Sequence, residues 1–286
     1  MLRFYYVIII SIPFIIYYIT KMRFMYRHRS HYTEDQCYRV VRRVCRQVMI
    51  NARIRTKIFG LENLPEEGGY IMYPNHQGRY DAIGIIYAHK KPLTVVMDAT
   101  RSRLPLVNEI LDLTSGVRLD KSDMRGQVQD MIRIRDEVKR GRRWILFPEG
   151  GYFHNRNNVQ EFMPGAFKPA MQSKCPVVPV VLIDSYKPFE LNSIRKVTTQ
   201  VHFLEPIRPE TYASMNSREL ADLVRSRIIA KMKEVLGLED LDSQTREMTI
   251  KDLRAEDYEK WKRREEIPAE KEENFRLGNP FQLPKD

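Results

Sequence analysis

Short apolar runs and amphipathic segments alternate along the chain from residue 59 to residue 237. The apolar runs predict six strands, at 70–73, 93–97, 117–119, 144–147, 177–183 and 201–204. The segments between them predict helices around 82–89, 106–113, 125–140 and 165–173. A final helix has clear limits, because Asn216 and Glu219 form a capping box at its start and Gly237 ends it. Strands that alternate with helices predict an α/β domain with a central sheet.

The N-terminal pattern is different, because residues 4–19 form an apolar and aromatic run that only Ser11 and Pro13 interrupt. A run of this length falls just short of the ~20 residues that usually span a bilayer, so spanning and deep insertion are both open. A cleaved signal peptide is disfavoured, because only Arg3 precedes the run and no small-residue cleavage site follows it. The cations at 21–29 predict an uncleaved anchor with the rest of the chain on the cytoplasmic side.

Residues 33–57 show the pattern of a basic amphipathic helix. Its apolar stripe consists of Val40, Val41, Val44, Val48 and Met49, and its basic flanks of Arg39, Arg42, Arg43 and Arg46. Such a helix can lie on anionic lipid, or it can be an ordinary surface helix whose stripe packs on the core. Its position beside the apolar run favours contact with the membrane.

Composition and charge narrow the function further. The chain has 286 residues and a net charge of +11, which predicts an anionic partner. Much of the basic excess lies beside the apolar run, so we expect membrane lipids and no nucleic acid. Glycine-rich phosphate loops and zinc motifs are absent, so neither nucleotide hydrolysis nor a metal site is predicted. The three cysteines, an odd number without metal spacing, indicate a reducing compartment.

These patterns divide the chain into four parts. Residues 1–32 are the predicted anchor with its basic flank, and residues 33–58 are the basic helix. Residues 59–237 are the α/β domain, and residues 238–286 are a tail in which charged residues dominate.

The candidate chemistry lies where the strand 70–73 is broken by Pro74, because His76 and Asp81 follow in a polar loop. Residues five apart on a helix point about 140° away from each other, so a His–Asp pair requires His76 in the loop and Asp81 in the first helical turn. Gly78 permits the chain to fold back. In such a pair Asp81 orients the imidazole and His76 accepts a proton. The alternative is that Asp81 only caps the helix.

Three further segments with chemical character follow this one in order. The four segments are Asn-His-Gln-Gly-Arg-Tyr-Asp at 75–81, Gly-Val-Arg-Leu-Asp-Lys at 116–121, Phe-Pro-Glu-Gly at 147–150 and Cys-Pro-Val-Val-Pro-Val-Val at 175–181. In this order they resemble the motifs of the glycerolipid acyltransferase family, and most closely those of the 1-acylglycerol-3-phosphate (lysophosphatidic acid) acyltransferases. The resemblance covers residues 59–207.

The resemblance implies a mixed central sheet flanked by helices, with N-terminal helices on the membrane. It implies a catalytic dyad of His76 and Asp81, and substrate-binding residues at Arg79, Gly116, Arg118, Lys121, Glu149 and Gly150. The implied reaction moves a fatty acyl group from acyl-CoA or acyl carrier protein to lysophosphatidic acid and needs no cofactor. Its product is phosphatidic acid.

The chemistry fits these residue types, because a neutral imidazole can take the proton of a hydroxyl as it attacks an activated thioester. Four positions depart from the family pattern: Gly78 replaces a frequent serine, Lys121 an arginine, Gly151-Tyr152 a Thr-Arg pair and Met163 a lysine. These departures bear on the acceptor, and two alternatives follow. The acceptor is another lysophospholipid or membrane alcohol, or the protein binds membrane lipid without catalysis.

Overall fold

The computed structural model describes residues 2–152, 155–191 and 193–239, so most of the predicted charged tail lies outside the described residues. The helices are α1 Leu2–Arg27, α2 Glu34–Asn51, α3 Asp81–Ala88, α4 Val107–Thr114, α5 Met124–Lys139, α6 Lys168–Ser173, α7 Lys187–Glu190, α8 Pro209–Tyr212 and α9 Ser217–Leu236. The strands are β1 Ile54–Phe59, β2 Tyr70–Pro74, β3 Thr94–Asp98, β4 Val117–Leu119, β5 Arg143–Ile145, β6 Val177–Ile183 and β7 Val197–Phe203.

The strands form one mixed sheet in the order β1-β7-β6-β2-β5-β3-β4. Five neighbouring strands, from β6 to β4, run parallel, whereas β7 pairs antiparallel with β6 and β1 pairs parallel with β7. The carboxyl ends of the five parallel strands therefore lie at one edge, which is where α/β sheets place their ligands. This architecture confirms the predicted α/β fold with a mixed central sheet.

Both faces of the sheet are covered, which explains why the central strands read as continuous apolar runs. Every residue of β2 and β6 is buried. Tyr70 and Met72 pack on one side, with buried residues of α1, α2, α3 and α4. Ile71 and Tyr73 pack on the other side, with buried residues of α5, α6 and α9. The domain is a three-layer sandwich with β2 as the middle strand of its sheet.

The structure differs from the sequence prediction at the start of the domain. The basic helix ends at Asn51 rather than at residue 57, because Arg53 adopts a left-handed conformation (φ 55°) and the chain enters β1. Ile54 points inward and Arg55 outward, so buried positions recur every 2 residues here rather than every 3.6 as in the helix. The charged residues of this segment hide the change in the sequence. This edge strand pairs with β7, so the sheet begins before the predicted boundary at residue 59.

The first helix is attached to the domain near both of its ends. The buried side chain of Arg3 donates hydrogen bonds to the carbonyl oxygens of Pro188 (3.2 Å) and Arg195. Near the other end, Arg23 forms an ion pair with the buried carboxylate of Glu109 at 2.7 Å. Because these contacts lie twenty residues apart, α1 runs along the domain and does not project from it.

The opposite face of α1 is apolar and uncovered. Arg3–Arg27 is long and apolar enough to cross a membrane, judged by length and composition. Its exposed large side chains are Tyr5, Tyr6, Ile8, Ile9, Ile10, Ile12, Ile16, Tyr17, Phe24 and Tyr26. A contiguous apolar face of this kind is typical of a surface that contacts lipid.

We expect the double substitution Ile9→Asp and Ile10→Asp to release the protein from membranes. These side chains are 65% and 42% exposed and do not line the cavity, so the charges remove lipid contact without entering the core. The measurement is the share of full-length protein that sediments with vesicles after a high-salt wash, with the melting temperature as a check on folding. Ile194→Asp, an exposed apolar position outside α1, is the matched control. Unchanged sedimentation of a folded double variant would contradict membrane contact through α1.

Candidate active site

The end of β2 and the start of α3 place the candidate dyad at the carboxyl edge of the sheet. β2 ends at Pro74 and leads into a loop that carries His76, and α3 then begins at Asp81. The Nδ1 atom of His76 lies 2.7 Å from the Oδ2 atom of Asp81. The chain therefore folds back as the sequence predicts, with the histidine in the loop and the aspartate in the first helical turn.

The carboxylate of Asp81 is buried and accepts four hydrogen bonds. Its Oδ2 atom accepts from His76 and from the backbone N–H groups of Gln77 (2.6 Å) and Gly78 (2.9 Å). Its Oδ1 atom accepts from the hydroxyl of Ser185 at 2.5 Å. Because an ionised carboxylate only accepts, the Nδ1 atom of His76 carries the proton of a neutral ring. The Nε2 atom is then the basic nitrogen, free of this interaction.

Aromatic rings hold the imidazole in place. The ring of His76 stacks on Phe147 at 4.3 Å and meets Tyr152 edge-on at 4.8 Å, measured between centroids. The side chain of His76 is 18% exposed whereas that of Asp81 is 1% exposed, so only the histidine reaches the cavity. The pair thus joins the buried carboxylate of Asp81 to the accessible imidazole of His76.

Glu149 supports the loop from the neighbouring strand β5. Its Oε1 atom accepts the backbone N–H of His76 at 2.9 Å, and its Oε2 atom accepts from the side chain of Gln160 at 2.7 Å. The side chain of Asn155 donates to the carbonyl oxygen of His76 at 3.0 Å. Burial raises the pKa of Glu149 to about 8, and the hydrogen bonds from His76 and Gln160 oppose that rise.

Two glycines beside the dyad behave differently. Gly150 has φ +68°, a conformation that favours glycine, and a Cβ there would displace the methyl end of Met163, which lies 2.4 Å away. Gly78 has no left-handed conformation, and a Cβ there would meet Tyr186 at an ordinary 3.5 Å. The predicted turn therefore forms without using the freedom of Gly78.

The dyad opens into a cavity of about 2400 Å³. This volume exceeds the roughly 300–1,000 Å³ of pockets for drug-sized ligands. The wall near His76 includes Phe147, Glu149, Gly150 and Tyr152, and α1 contributes apolar side chains from Phe4 to Ile16. A long apolar cavity beside a base suits a substrate with a hydrocarbon chain.

Residues 55–183 match the family model described as Acyltransferase. A 1-acyl-sn-glycerol-3-phosphate acyltransferase of Borreliella burgdorferi is 24% identical over 203 residues, covering 68% of this chain and 79% of that protein. The human 1-acyl-sn-glycerol-3-phosphate acyltransferase alpha is 29% identical over 193 residues, covering 64% of this chain and 65% of that protein. The match to the Saccharomyces cerevisiae enzyme covers 60% of that protein.

Residues 55–183 of this chain match an acyltransferase domain. The crystal structure of the 1-acyl-sn-glycerophosphate acyltransferase PlsC from Thermotoga maritima has the same fold, with a TM-score of 0.66 at 19% identity. That likeness covers 82% of this chain and 96% of the bacterial one. The family resemblance predicted from the four motifs is thereby confirmed.

The structure separates the predicted substrate-binding residues of this acyltransferase into two groups. Lys121, Arg79, Glu149 and Gly150 line the cavity. Arg118 instead forms an ion pair with Asp112 at 2.6 Å, and its guanidinium also donates to Asn108.

Gly116 lies at a close approach of helix and strand and is outside the cavity lining. A Cβ there would lie 2.2 Å from Leu111, so packing requires glycine. The binding roles of Gly116 and Arg118 stay predictions, and the structure gives each a packing or pairing role of its own.

Sequence reasoning missed Ser185, Gln160 and Asn155, which hold the dyad through hydrogen bonds. Ser185 follows β6 by two residues, at the same edge as His76, so its position after a buried strand was a usable signal. Gln160 and Asn155 come from the segment after β5, and no local pattern marked their contact with Glu149 and His76. Among the described residues, no group of three or more histidine, cysteine or acidic side chains could hold a metal.

We expect His76→Ala to lower acyl transfer by about 10²–10⁴-fold, because it removes the base. Asp81→Asn should cost less, because the new amide can donate to the Ser185 hydroxyl while its oxygen keeps the three other donors. Steady-state rates of folded variants measure both effects. Near-normal turnover by His76→Ala would refute the dyad.

The pKa of Glu149 predicts a pH effect on stability. The folded carboxyl keeps its proton to pH about 8, whereas its ordinary value is 4.5, so between these values the folded state binds more protons. The free energy of unfolding should therefore fall as pH rises from 4.5 to 8, and Glu149→Gln should reduce that fall. Denaturant unfolding across this range measures it. Glu66→Gln, an exposed carboxyl, is the control, and identical pH profiles for wild type and Glu149→Gln would contradict the assignment.

Proposed function

We propose that this acyltransferase transfers a fatty acyl group from an acyl thioester to the free hydroxyl of lysophosphatidic acid, giving phosphatidic acid. The observation that carries the proposal is the 2.7 Å pair of His76 and Asp81 opening into a large, mainly apolar cavity. The relatives named as 1-acyl-sn-glycerol-3-phosphate acyltransferases support the same reaction.

In the first step, the Nε2 atom of His76 takes the proton of the acceptor hydroxyl while the oxygen attacks the thioester carbonyl carbon. The ring becomes an imidazolium, and Asp81 stabilises its charge through the Nδ1–H bond. Because Asp81 is fixed by three other donors, the imidazole needs no rearrangement as the charge develops.

In the second step, the tetrahedral intermediate collapses, the carbon–sulfur bond breaks, and the imidazolium gives its proton to the departing sulfur. The products are the new ester and a free thiol, and His76 returns to its neutral form. No nucleophilic side chain of the enzyme is needed, because the thioester is already activated and the acceptor supplies the oxygen. The reaction needs no resident cofactor.

The acyl donor is a thioester of coenzyme A or of acyl carrier protein. Either carrier presents an apolar chain, and the apolar side chains of α1 that face the cavity supply surface for it. On the acceptor side, the ammonium group of Lys121 lines the same cavity and can approach a phosphate.

The proposed location is a membrane surface, with the catalytic domain on the cytoplasmic side. The apolar outer face of α1 supports contact with lipid. The basic side chains of residues 21–29 favour the cytoplasmic side by the positive-inside bias. An acceptor that is itself a membrane lipid could then reach the cavity without leaving the lipid phase.

The deciding experiment is an assay of the purified full-length protein against a panel of acceptors. The panel contains lysophosphatidic acid, a lysophosphatidylcholine, glycerol 3-phosphate and an uncharged monoacylglycerol, each with acyl-CoA and with acyl carrier protein thioester. We expect lysophosphatidic acid to have the highest kcat/KM, with phosphatidic acid detected by mass.

The His76→Ala protein serves as the blank for this assay. A higher kcat/KM for another acceptor would favour a different lysolipid or membrane alcohol. Absence of every product, with lipid binding retained, would favour the non-catalytic alternative.

A further inference from the structure

Arg101 is a further cationic residue of the cavity, and it follows β3, which lies between β5 and β4 in the sheet. Its guanidinium carbon lies 4.8 Å from the ring centroid of Tyr152. The carboxylate of Asp98, three residues earlier, accepts from the backbone N–H groups of Thr100 and Arg101.

Tyr152 connects this cation to the dyad. The same ring that lies beneath Arg101 meets the imidazole of His76 edge-on at 4.8 Å. The two contacts place the guanidinium carbon within about 10 Å of the imidazole centroid. Tyr152 is one of the four departures from the family pattern, and its ring is the surface on which Arg101 rests.

A gap of at most about 10 Å can be bridged by an acceptor whose hydroxyl and phosphate are on adjacent carbons. Four covalent bonds of about 1.5 Å link the hydroxyl oxygen to the phosphorus. Hydrogen bonds of about 2.8 Å at each end add the reach to His76 and to Arg101. Together these lengths bridge about 10 Å, so one small headgroup can contact both residues.

Three other arginines of the cavity are engaged elsewhere, whereas Lys168 and Arg218 line it from α6 and α9 and not from the strand ends beside the dyad. Arg225 donates to the carbonyl oxygens of Val159 and Gln160, and Arg135 pairs with Asp136. Arg79, although close to His76 in sequence, lies over the ring of Phe4 on α1. Arg118, the arginine of the second motif, does not line the cavity and pairs with Asp112.

Two cations of the cavity lie at the adjacent ends of β3 and β4. Arg101 follows β3 and Lys121 follows β4, and both line the cavity. In the described part of the chain, neither side chain has an ion-pair partner among the acidic residues. A guanidinium and an ammonium on neighbouring strands suit a dianionic phosphate monoester, because the planar guanidinium can bind two of its oxygens at once.

We propose that Arg101 binds the phosphate of the acceptor and determines its selection, and that Tyr152 is a positioning residue for Arg101. The proposal rests on the proposed function, and it assigns the phosphate to a residue outside the four motifs. Selectivity for a phosphate monoester over an uncharged alcohol then depends on residues that follow β3 and β5.

The test compares Arg101→Ala with Arg103→Ala in the full-length protein. Arg103 belongs to the same short helix, is exposed and does not line the cavity, so its loss controls for net charge. Arg101→Ala should raise the KM of lysophosphatidic acid at least tenfold and change kcat less than threefold. The KM of acyl-CoA and the rate with monoacylglycerol should stay unchanged, and Arg103→Ala should resemble wild type.

Variants of Tyr152 test whether its ring positions Arg101 or has only a general structural role. Tyr152→Phe keeps the ring and should resemble wild type in the KM of lysophosphatidic acid. Tyr152→Leu removes the ring and should raise that KM about as much as Arg101→Ala does. Arg101→Lys should be intermediate, because an ammonium keeps the charge and loses the planar fork.

Three outcomes overturn the proposal, and each has a different meaning. If wild type acylates lysophosphatidic acid and Arg101→Ala leaves its KM unchanged, Arg101 does not bind the phosphate and the proposed function stands. If Arg101→Ala raises the KM of acyl-CoA instead, Arg101 holds the donor. If wild type acylates only uncharged acceptors, the proposed function fails together with this inference.

Discussion

The carboxylate of Asp81 is the group on which the geometry of the site depends. It is buried, and its hydrogen-bond donors come from the loop after β2 and from Ser185, which follows β6. Leaving a buried carboxylate without donors would cost several kcal/mol, so the loop has few alternatives to the observed path. The conformation of residues 76–78 is therefore a consequence of satisfying one anion, and the orientation of His76 follows from it.

The rest of the site is built outward from that pair by neighbouring strands. β5 delivers Glu149, which takes the backbone N–H of His76, and Phe147, on which the imidazole stacks. β3 and β4 then bring cations to the same edge. Because parallel strands end together, residues from four separate segments of the sequence meet within one cavity. The sheet order thus determines which side of the imidazole is apolar and which side is cationic.

The sequence predicted those features that have a local physical cause. β4 and β6 were predicted at their observed limits, because continuous apolar runs between turn residues mark buried strands. The limits of α9 followed from the Asn216 capping box and from Gly237, which has φ +67°. The fold-back that joins His76 to Asp81 was predictable because five residues of helix cannot bring two side chains to one face.

The features that were not predicted depend on how the helices and strands are placed relative to one another. β1 was missed because an edge strand with alternating charges resembles the end of the preceding basic helix. Arg118 was expected in the cavity, and its pairing with Asp112 became visible only when α4 and β4 were placed side by side. A sequence motif gives the position of a cation along the chain, whereas tertiary geometry decides which acidic residue the cation pairs with.

The attachment of α1 to the domain near both ends places different limits on its two faces. The inner face includes Met22 and Met25, which belong to the core, and Ser11, which accepts a hydrogen bond from Asn51 at 2.7 Å. Those positions are constrained by shape and by a specific partner. Outer positions such as Ile9 and Ile10 are exposed and do not line the cavity, so apolar residues of many shapes satisfy them. Exchanges among apolar residues should therefore be tolerated on the outer face of α1, whereas few exchanges should be tolerated on its inner face. Removing the helix would open one wall of the cavity.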